Sequence, residues 1–282
     1  MKTLMHDNQN LQTLPNDALS TDLQRISLRD NQLRTLPDTL WQLAHLERLS
    51  LGNNQFADIP SDIGKLISLT ELFLDGNPLK HVPDSLGNLV KLSILDLGHC
   101  ALVDLPDSLQ ALQKLEFFYA SDNQLKDCPR WIGNLANLRY FNMTDNHLVS
   151  LPDSLGNLAT LIELRLYNNQ LETVPDSLCN LSVLRELYLR NNRIQNLPET
   201  IGKLSELRIL DMRNNSLNTI PDSIGDLSNL LYLDLRGNAL DTLPDSILNL
   251  HKLEKLDLRW NNVYEKSSMM RDLEARGCLV YI

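Results

Sequence analysis

Leu46-Glu47-Arg48-Leu49-Ser50-Leu51-Gly52-Asn53-Asn54-Gln55-Phe56 is the stretch whose reading decides the fold. It has the form LxxLxLxxNxL, with x variable. Its first leucine lies on a grid, because leucine occupies every multiple of 23 from Leu23 to Leu253, eleven times without a gap. Ten prolines, from Pro37 to Pro244, follow fourteen places after the first ten of those leucines. Most of them open the run Pro-Asp-Ser-Leu-Gly-Asn-Leu or a near variant, as at Pro152–Leu158. Self-similarity at one fixed period marks a chain built of stacked units. The composition follows from it: 63 leucines and 28 asparagines make up about a third of the 282 residues.

The alternation inside the frame sets its geometry. The LxL core reads as a short strand whose leucines point inward while the residues between them face solvent. Strands of successive units stack in parallel about 4.8 Å apart and form a sheet. Frame asparagines such as Asn54, Asn77 and Asn146 turn the chain inward and can satisfy buried backbone groups from unit to unit. Proline starts the return segment, and the Asp and Ser after it suit the cap of a helical turn. One unit cannot bury its leucines alone, so stacking supplies the core. The pattern is identified as the leucine-rich repeat frame. It implies an α/β leucine-rich repeat solenoid, a horseshoe with a parallel concave sheet and short helical or 3-10 convex segments.

A single domain over 1–282 is expected. Residues 1–22 read as an N-terminal cap or degenerate repeat, in which Leu11-Gln12-Thr13-Leu14-Pro15 copies a repeat end one residue out of phase. Eleven repeats fill 23–264, and 265–282 read as a C-terminal cap. There Glu265–Arg276 is predicted to be a helix and Cys278–Ile282 a strand or extended closing segment. No separate catalytic domain, linker or tail fits.

Composition narrows the function. Lys+Arg 26 against Asp+Glu 36 gives a net charge of −10, a poor match for nucleic acid or an anionic membrane. No stretch of about 18 residues is free of charge or Asn, so no membrane span is expected. The first residues lack the apolar core of a secretion signal. Cys100, Cys128, Cys179 and Cys278 form no CxxC pair or Cys-His cluster, so they read as free thiols in a reducing, cytoplasmic compartment. No phosphate loop, HExxH helix or GxSxG elbow occurs, so no enzyme, metal or cofactor is expected. His99 beside Cys100 superficially suggests Cys-His chemistry, but the frame points Cys100 inward.

Function is therefore sought where the frame leaves residues free, at its third, fifth and seventh places on the concave side. Those 33 positions hold 7 of the 12 Phe and Tyr residues: Phe73, Phe117, Tyr119, Tyr140, Tyr167, Tyr188 and Tyr232. The first six fall in six successive repeats, a strip of roughly 300 Å² at the usual strand spacings, the size of patch that marks partner sites. Tyrosine is also a preferred interface anchor. The other explanation is that aromatics favour strands and stack across the ladder. Arg190, Arg213, Arg236 and Arg259 form a ladder beside Asp211, Asp234 and Asp257. It reads as a self-compensating charge lattice, or as an arginine strip, with Arg165, for an acidic protein surface or phosphate. Repeat five replaces two frame leucines with Phe118 and Ala120, a volume trade inside the core. Trp131 stands where other repeats carry Ser, Thr or Asp, either filling a convex groove or anchoring a second contact.

The 23-residue units, with LPDSLGNL after LxLxxNxL, resemble intracellular leucine-rich repeats of the Ras-group and scribble-like type. They are also similar to bacterial leucine-rich repeat proteins, secreted effectors included. The ending Leu256-Asp257-Leu258-Arg259-Trp260-Asn261, then Arg276-Gly277-Cys278-Leu279-Val280-Tyr281, looks like the close of bacterial members. The resemblance implies a non-enzymatic module that binds a folded protein, a small GTPase among the partners. It also places the chain in the cytoplasm of its own cell, or in host cytosol if it is an effector. A monomer is expected. The alternative is a structural or self-associating solenoid whose patch is buried in a homodimer, and an extracellular recognition domain is the third reading.

Overall fold

The structure, a computed structural model, describes residues 2–263 and 267–282. The chain forms two compact units, Met1–Leu138 and Arg139–Ile282. The first carries β1 (Lys2–Met5), β2 (Leu23–Ser27), β3 (Arg48–Ser50), β4 (Glu71–Phe73), β5 (Ile94–Asp96) and β6 (Phe117–Tyr119). Each strand pairs in parallel with the next, and between β2 and β6 every residue faces the one 23 places away. The second unit repeats this from β7 (Tyr140–Asn142) through β8 (Glu163–Arg165), β9 (Glu186–Tyr188), β10 (Ile209–Asp211) and β11 (Tyr232–Asp234) to β12 (Lys255–Asp257), and β13 (Leu279–Tyr281) pairs with β12 at an offset of 24. These are the parallel strands and short 3-10 turns of a leucine-rich repeat solenoid.

Strand alternation sorts the side chains as period two requires. The frame leucines, Leu49 and Leu51 or Leu164 and Leu166, are fully buried. Phe118 and Ala120 are fully buried as well, so repeat five does exchange volume within the core. Trp131 is buried and fills its turn on the side opposite the strands, and no exposed ring remains there for a partner.

Most return segments are 3-10 turns of five residues, such as Ser61–Lys65 and Asp222–Asp226. The expected Asp and Ser caps do not form. Proline itself holds the cap position, Pro60 at φ −67° and ψ 152°, with no side-chain cap bond. Its ring locks φ where the turn begins, and the Ile63 N–H reaches back to the Pro60 carbonyl at 3.1 Å. The Ser85, Ser108, Ser223 and Ser246 hydroxyls are buried with no partner among the described residues.

Strand exits share a second constraint. Every residue seven places after a grid leucine lies in the left-handed region, from Asp30 at φ 56° through His99 at 53° to Trp260 at 60°. Asn, Asp and Gly fill most of these places because they tolerate that conformation at little cost. The repeat imposes it on His99 and Trp260 too.

Buried asparagines tie repeat to repeat. Asn77 Oδ1 accepts the Phe56 N–H at 3.1 Å, and its Nδ2 donates to the carbonyls of Leu51 at 3.1 Å and Leu74 at 2.9 Å. Asn54, Asn123, Asn169, Asn192, Asn215 and Asn238 make the same set. Cys100 stands in for one of them with two long S–H contacts, to Leu74 and Gly98 carbonyls.

At the C-terminal end α1 (Ser268–Ala275) is shorter than the predicted helix, and Glu265 lies outside the described residues. Ser267 caps it by accepting the Met270 N–H at 3.3 Å, which fixes its start. At the other end, β1 adds a strand to residues expected only as a cap.

Two substitutions test these constraints. Asn77→Ala should cost about 2–4 kcal/mol in chemical denaturation, because it strands several buried backbone groups at once. Trp260→Asn should stabilise by about 1 kcal/mol, since the ring is 72% exposed and Asn suits the left-handed site. Thermal melts compare it with the parent chain.

Candidate functional site

The solvent side of the sheet carries the third, fifth and seventh frame places. In the first unit, Phe73, Phe117 and Tyr119 are half-buried rather than exposed. The Arg48 guanidinium lies 4.7 Å from the Phe73 ring centroid and donates to Glu71 at 2.6 Å. Arg29 reaches across a whole repeat to grip Asp75 with both ends of its fork, at 2.8 and 2.7 Å. Gly52 makes that reach possible, since a Cβ there would stand 2.6 Å from Asp75 Oδ1.

Asp96, between Phe73 and Tyr119 in register, is the acid this network leaves aside. Its Oδ1 accepts the Gly98 N–H at 3.0 Å, and it has no ion-pair partner among the described residues. Burial pushes its carboxyl up to about 6, and Asp75 adds to this, while the Gly98 N–H, Arg29 and His99 pull the other way.

In the second unit Tyr140, Tyr167 and Tyr188 are also half-buried, while Tyr232 is exposed and donates to Glu254 at 2.8 Å. Arg165 lies 5.6 Å from the Tyr140 ring centroid and 5.1 Å from that of Tyr188, and bonds Glu163. Arg190 covers Tyr167 at 4.0 Å. Tyr188 donates to Glu186 at 2.7 Å, and burial with that bond pushes its phenol up.

The arginine ladder is a charge lattice. Arg213 grips Asp211 at 3.0 and 2.9 Å, Arg236 grips Asp234 at 2.9 and 2.6 Å, and Arg259 grips Asp257 at 2.9 and 2.7 Å. Each aspartate is also approached from the preceding repeat, by Arg190 at 3.7 Å and by Arg213 and Arg236 at 3.4 Å. Burial alone would raise the Asp257 carboxyl. The Arg259 bond and the charges of Arg236 and Arg259 overcome it and hold it low. Arg213 and Arg236 thus already have acidic partners within the chain.

Elsewhere the chemistry is sparse. Burial raises the thiols of all four cysteines, Cys100 to about 11 and Cys128 to about 12, and a protonated thiol is a poor nucleophile. His99 Nδ1 turns to Asp122 at 2.9 Å, away from Cys100. Among the described residues no group of three or more His, Cys, Asp or Glu is placed to hold a metal ion, and no helix is long and apolar enough to cross a membrane. A feature the frame does not reveal is a cavity of about 780 Å³ in the first unit, off the sheet face, lined by Trp41, Phe56, Ile59 and Pro78 among others.

Two leucine-rich repeat family models match, one described as "leucine rich repeat" over 1–56, 67–125 and 136–194, the other as "leucine-rich repeat region" over 176–277. The chain belongs to the leucine-rich repeat family. No curated protein sequence matches it significantly. Among solved structures it is similar to a leucine-rich repeat protein of Leptospira interrogans, with 30% identity and a TM-score of 0.66, covering 97% of this chain and 82% of that one. The ectodomain of the plant membrane receptor kinase GASSHO1/SCHENGEN3 of Arabidopsis thaliana, solved in complex with CASPARIAN STRIP INTEGRITY FACTOR 2, is 32% identical with a TM-score of 0.74. That match covers 88% of this chain and 34% of the receptor chain, so this chain spans about a third of it. An internalin of Listeria monocytogenes, 23% identical with a TM-score of 0.77, shares the fold over 99% of this chain and 86% of its own. Leucine-rich repeat domains are typically protein–protein interaction modules.

Asp96 provides a pH test. A carboxyl raised from 3.8 to about 6 favours the folded state below its unfolded value, and that advantage is lost as pH rises through 6. Asp96→Asn should therefore stabilise the fold at pH 7 by roughly 1–2 kcal/mol, and the gain should shrink toward pH 4 in urea titrations.

Proposed function

We propose that the solvent face of the sheet binds a protein ligand without catalysis. The observation that carries this is the stacking of tyrosine and arginine along it: Arg165 with Tyr140 and Tyr188, and Arg190 on Tyr167. Tyr and Arg are the side chains that most often dominate binding energy. Rings and guanidiniums already held in place lose little further entropy when a partner docks. A strand needs no tyrosine on its solvent side to fold, and the buried leucines already supply the core.

The Arabidopsis receptor ectodomain, solved in complex with CASPARIAN STRIP INTEGRITY FACTOR 2, supports a binding role for repeats of this kind. In this chain Phe73, Phe117 and Tyr119 of one unit and Tyr140, Tyr167 and Tyr188 of the other are the contact residues. Arg165, Arg190, Arg213, Arg236 and Tyr232 flank them as polar contacts, with the charges of Arg213 and Arg236 already compensated within the chain. A folded signalling protein, such as a small GTPase, is the partner the repeat resemblance supports, within the cell or as an effector in a host. Four unpaired cysteines support a reducing, cytoplasmic setting.

The test compares the parent chain with a Tyr119→Ala/Tyr140→Ala/Tyr188→Ala variant. Proteins captured from lysate by the parent are purified and titrated against both by calorimetry, with circular dichroism checking the fold. The variant should bind at least about tenfold more weakly, the loss of one or two anchor side chains. Equal affinity would remove the face as the site. Light scattering across a concentration series separates this reading from the self-associating solenoid, which alone gains mass on concentration.

A further inference from the structure

The strand-end aspartates supply their own comparison. Asp96, Asp211, Asp234 and Asp257 occupy the same frame place. In each, Oδ1 accepts the backbone N–H two residues on, at 3.0, 3.2, 3.3 and 3.5 Å in that order. The four carboxylates are therefore held the same way. In three of them the residue two on is an arginine whose Nε and Nη2 take both oxygens at 2.6–3.0 Å. An arginine of the preceding repeat stands 3.4–3.7 Å away.

Asp96 lacks both arginines. Two residues on stands Gly98, and the matching residue of the preceding repeat is Asp75, whose two oxygens are taken by Arg29. Gly98 therefore leaves open the space that an arginine side chain fills in the other three. Phe73 and Tyr119 flank Asp96 at the same register on β4 and β6. Aromatic rings on this face carry guanidiniums elsewhere, as Arg190 does on Tyr167, and Phe73 itself already has Arg48 over its ring at 4.7 Å.

We propose that Asp96, Gly98, Phe73 and Tyr119 form a notch that takes an arginine side chain of a protein ligand. The ligand's guanidinium stands where the chain's own guanidiniums stand beside Asp211, Asp234 and Asp257. This deepens the binding role proposed for the face and rests on it. A guanidinium fits better than an ammonium, because its planar fork reaches both carboxylate oxygens at once while its faces lie against rings. The raised carboxyl of Asp96 fits an acid held without its counter-charge.

The full chain is titrated with Nα-acetyl-arginine amide at pH 7.5, and the Gly98 amide and Asp96 carboxyl are followed by NMR. Nα-acetyl-citrulline amide, a neutral near-isostere, and Nα-acetyl-lysine amide are run beside it. Saturable shifts in the millimolar range with arginine, at least about tenfold weaker with citrulline and weaker with lysine, are expected for a charge-assisted pair. Asp96→Asn should abolish them while leaving the fold at least as stable. Gly98→Arg should abolish them too, by filling the notch from within. Gly98 does not need the left-handed region, and the nearest atoms to a Cβ there are the rotatable Ser121 hydroxyl at 3.1 Å and Asp96 Oδ1 at 3.2 Å, which must give by a few tenths of an ångström, then the Ser121 carbonyl at 3.5 Å. Should Gly98→Arg misfold, Asp96→Asn decides alone.

Equal shifts with citrulline, lysine binding as tightly as arginine, or titration unaffected by Asp96→Asn would each overturn the notch. A failed titration with the tyrosine variant still impaired toward its protein ligand would remove the notch and leave the face. A working titration with equal capture by the tyrosine variant would remove the face as the site for the captured protein, and with it the notch as that ligand's arginine site.

Discussion

The fold depends on the disposal of backbone hydrogen bonds in a stack whose turns fall inside the molecule. Each strand of three residues is followed by a turn that faces the core, where N–H and C=O groups meet no water. The frame asparagine supplies one acceptor and two donor hydrogens at that place, as Asn54 does toward Leu33, Leu28 and Leu51. Leucine packing alone would tolerate slippage between repeats, because leucines are alike. The asparagine bonds set the register, since each reaches one repeat back and closes on particular backbone atoms.

With register set, the solvent side becomes a surface on which every third, fifth and seventh frame place repeats at strand spacing. What the chain writes there differs between its units. From Arg190 to Arg259 the charges compensate one another, and each aspartate has guanidiniums on two sides. Around Asp96 the same backbone motif lacks its arginines, and the carboxyl sits among aromatic rings with its charge uncompensated by contact. Exposed ion pairs add little stability one by one. The effect of the lattice is on charge and placement: it holds the arginine heads against the aspartates, while Arg190 lies over Tyr167.

Much of this was legible in the sequence. The grid of leucines and prolines gave strands, turns and spacing, and the columns of frame places told which residues share a face. Other features need geometry. Periodicity says which side Tyr140 faces, but not that Arg165 lies over its ring, because arginine reach is not periodic. The contact of Arg29 with Asp75 spans 46 residues and passes over a glycine that reads in sequence as a gap. The buried ring of Trp131 shows how little a residue type reveals when a turn has room for it. The left-handed strand exits are visible as a column of Asn, Asp and Gly, yet His99 and Trp260 break the composition while keeping the conformation. Partner identity is written in none of these, because the frame is reused whatever the face carries.

The frame asparagines reach into the repeat before them, as Asn54 does toward Leu28 and Leu33, while Arg213 and Arg236 close their forked bonds within a repeat and approach the next more loosely, at 3.4 Å. Within each unit the asparagine bonds recur every 23 residues with the same partners in the frame. Removing or duplicating 23 residues as a block returns each bond to an equivalent partner, whereas a change of 22 or 24 breaks all of them at the cut. Length is then quantised and cheap to vary, while phase is not. Arg29 and Asp75 are the exception, since their contact skips over a unit. A chain shortened by the repeat that contains Gly52 would keep its register but bring Arg29 and Asp75 into neighbouring repeats, so the clasp across a repeat ties the chain to the length it has there.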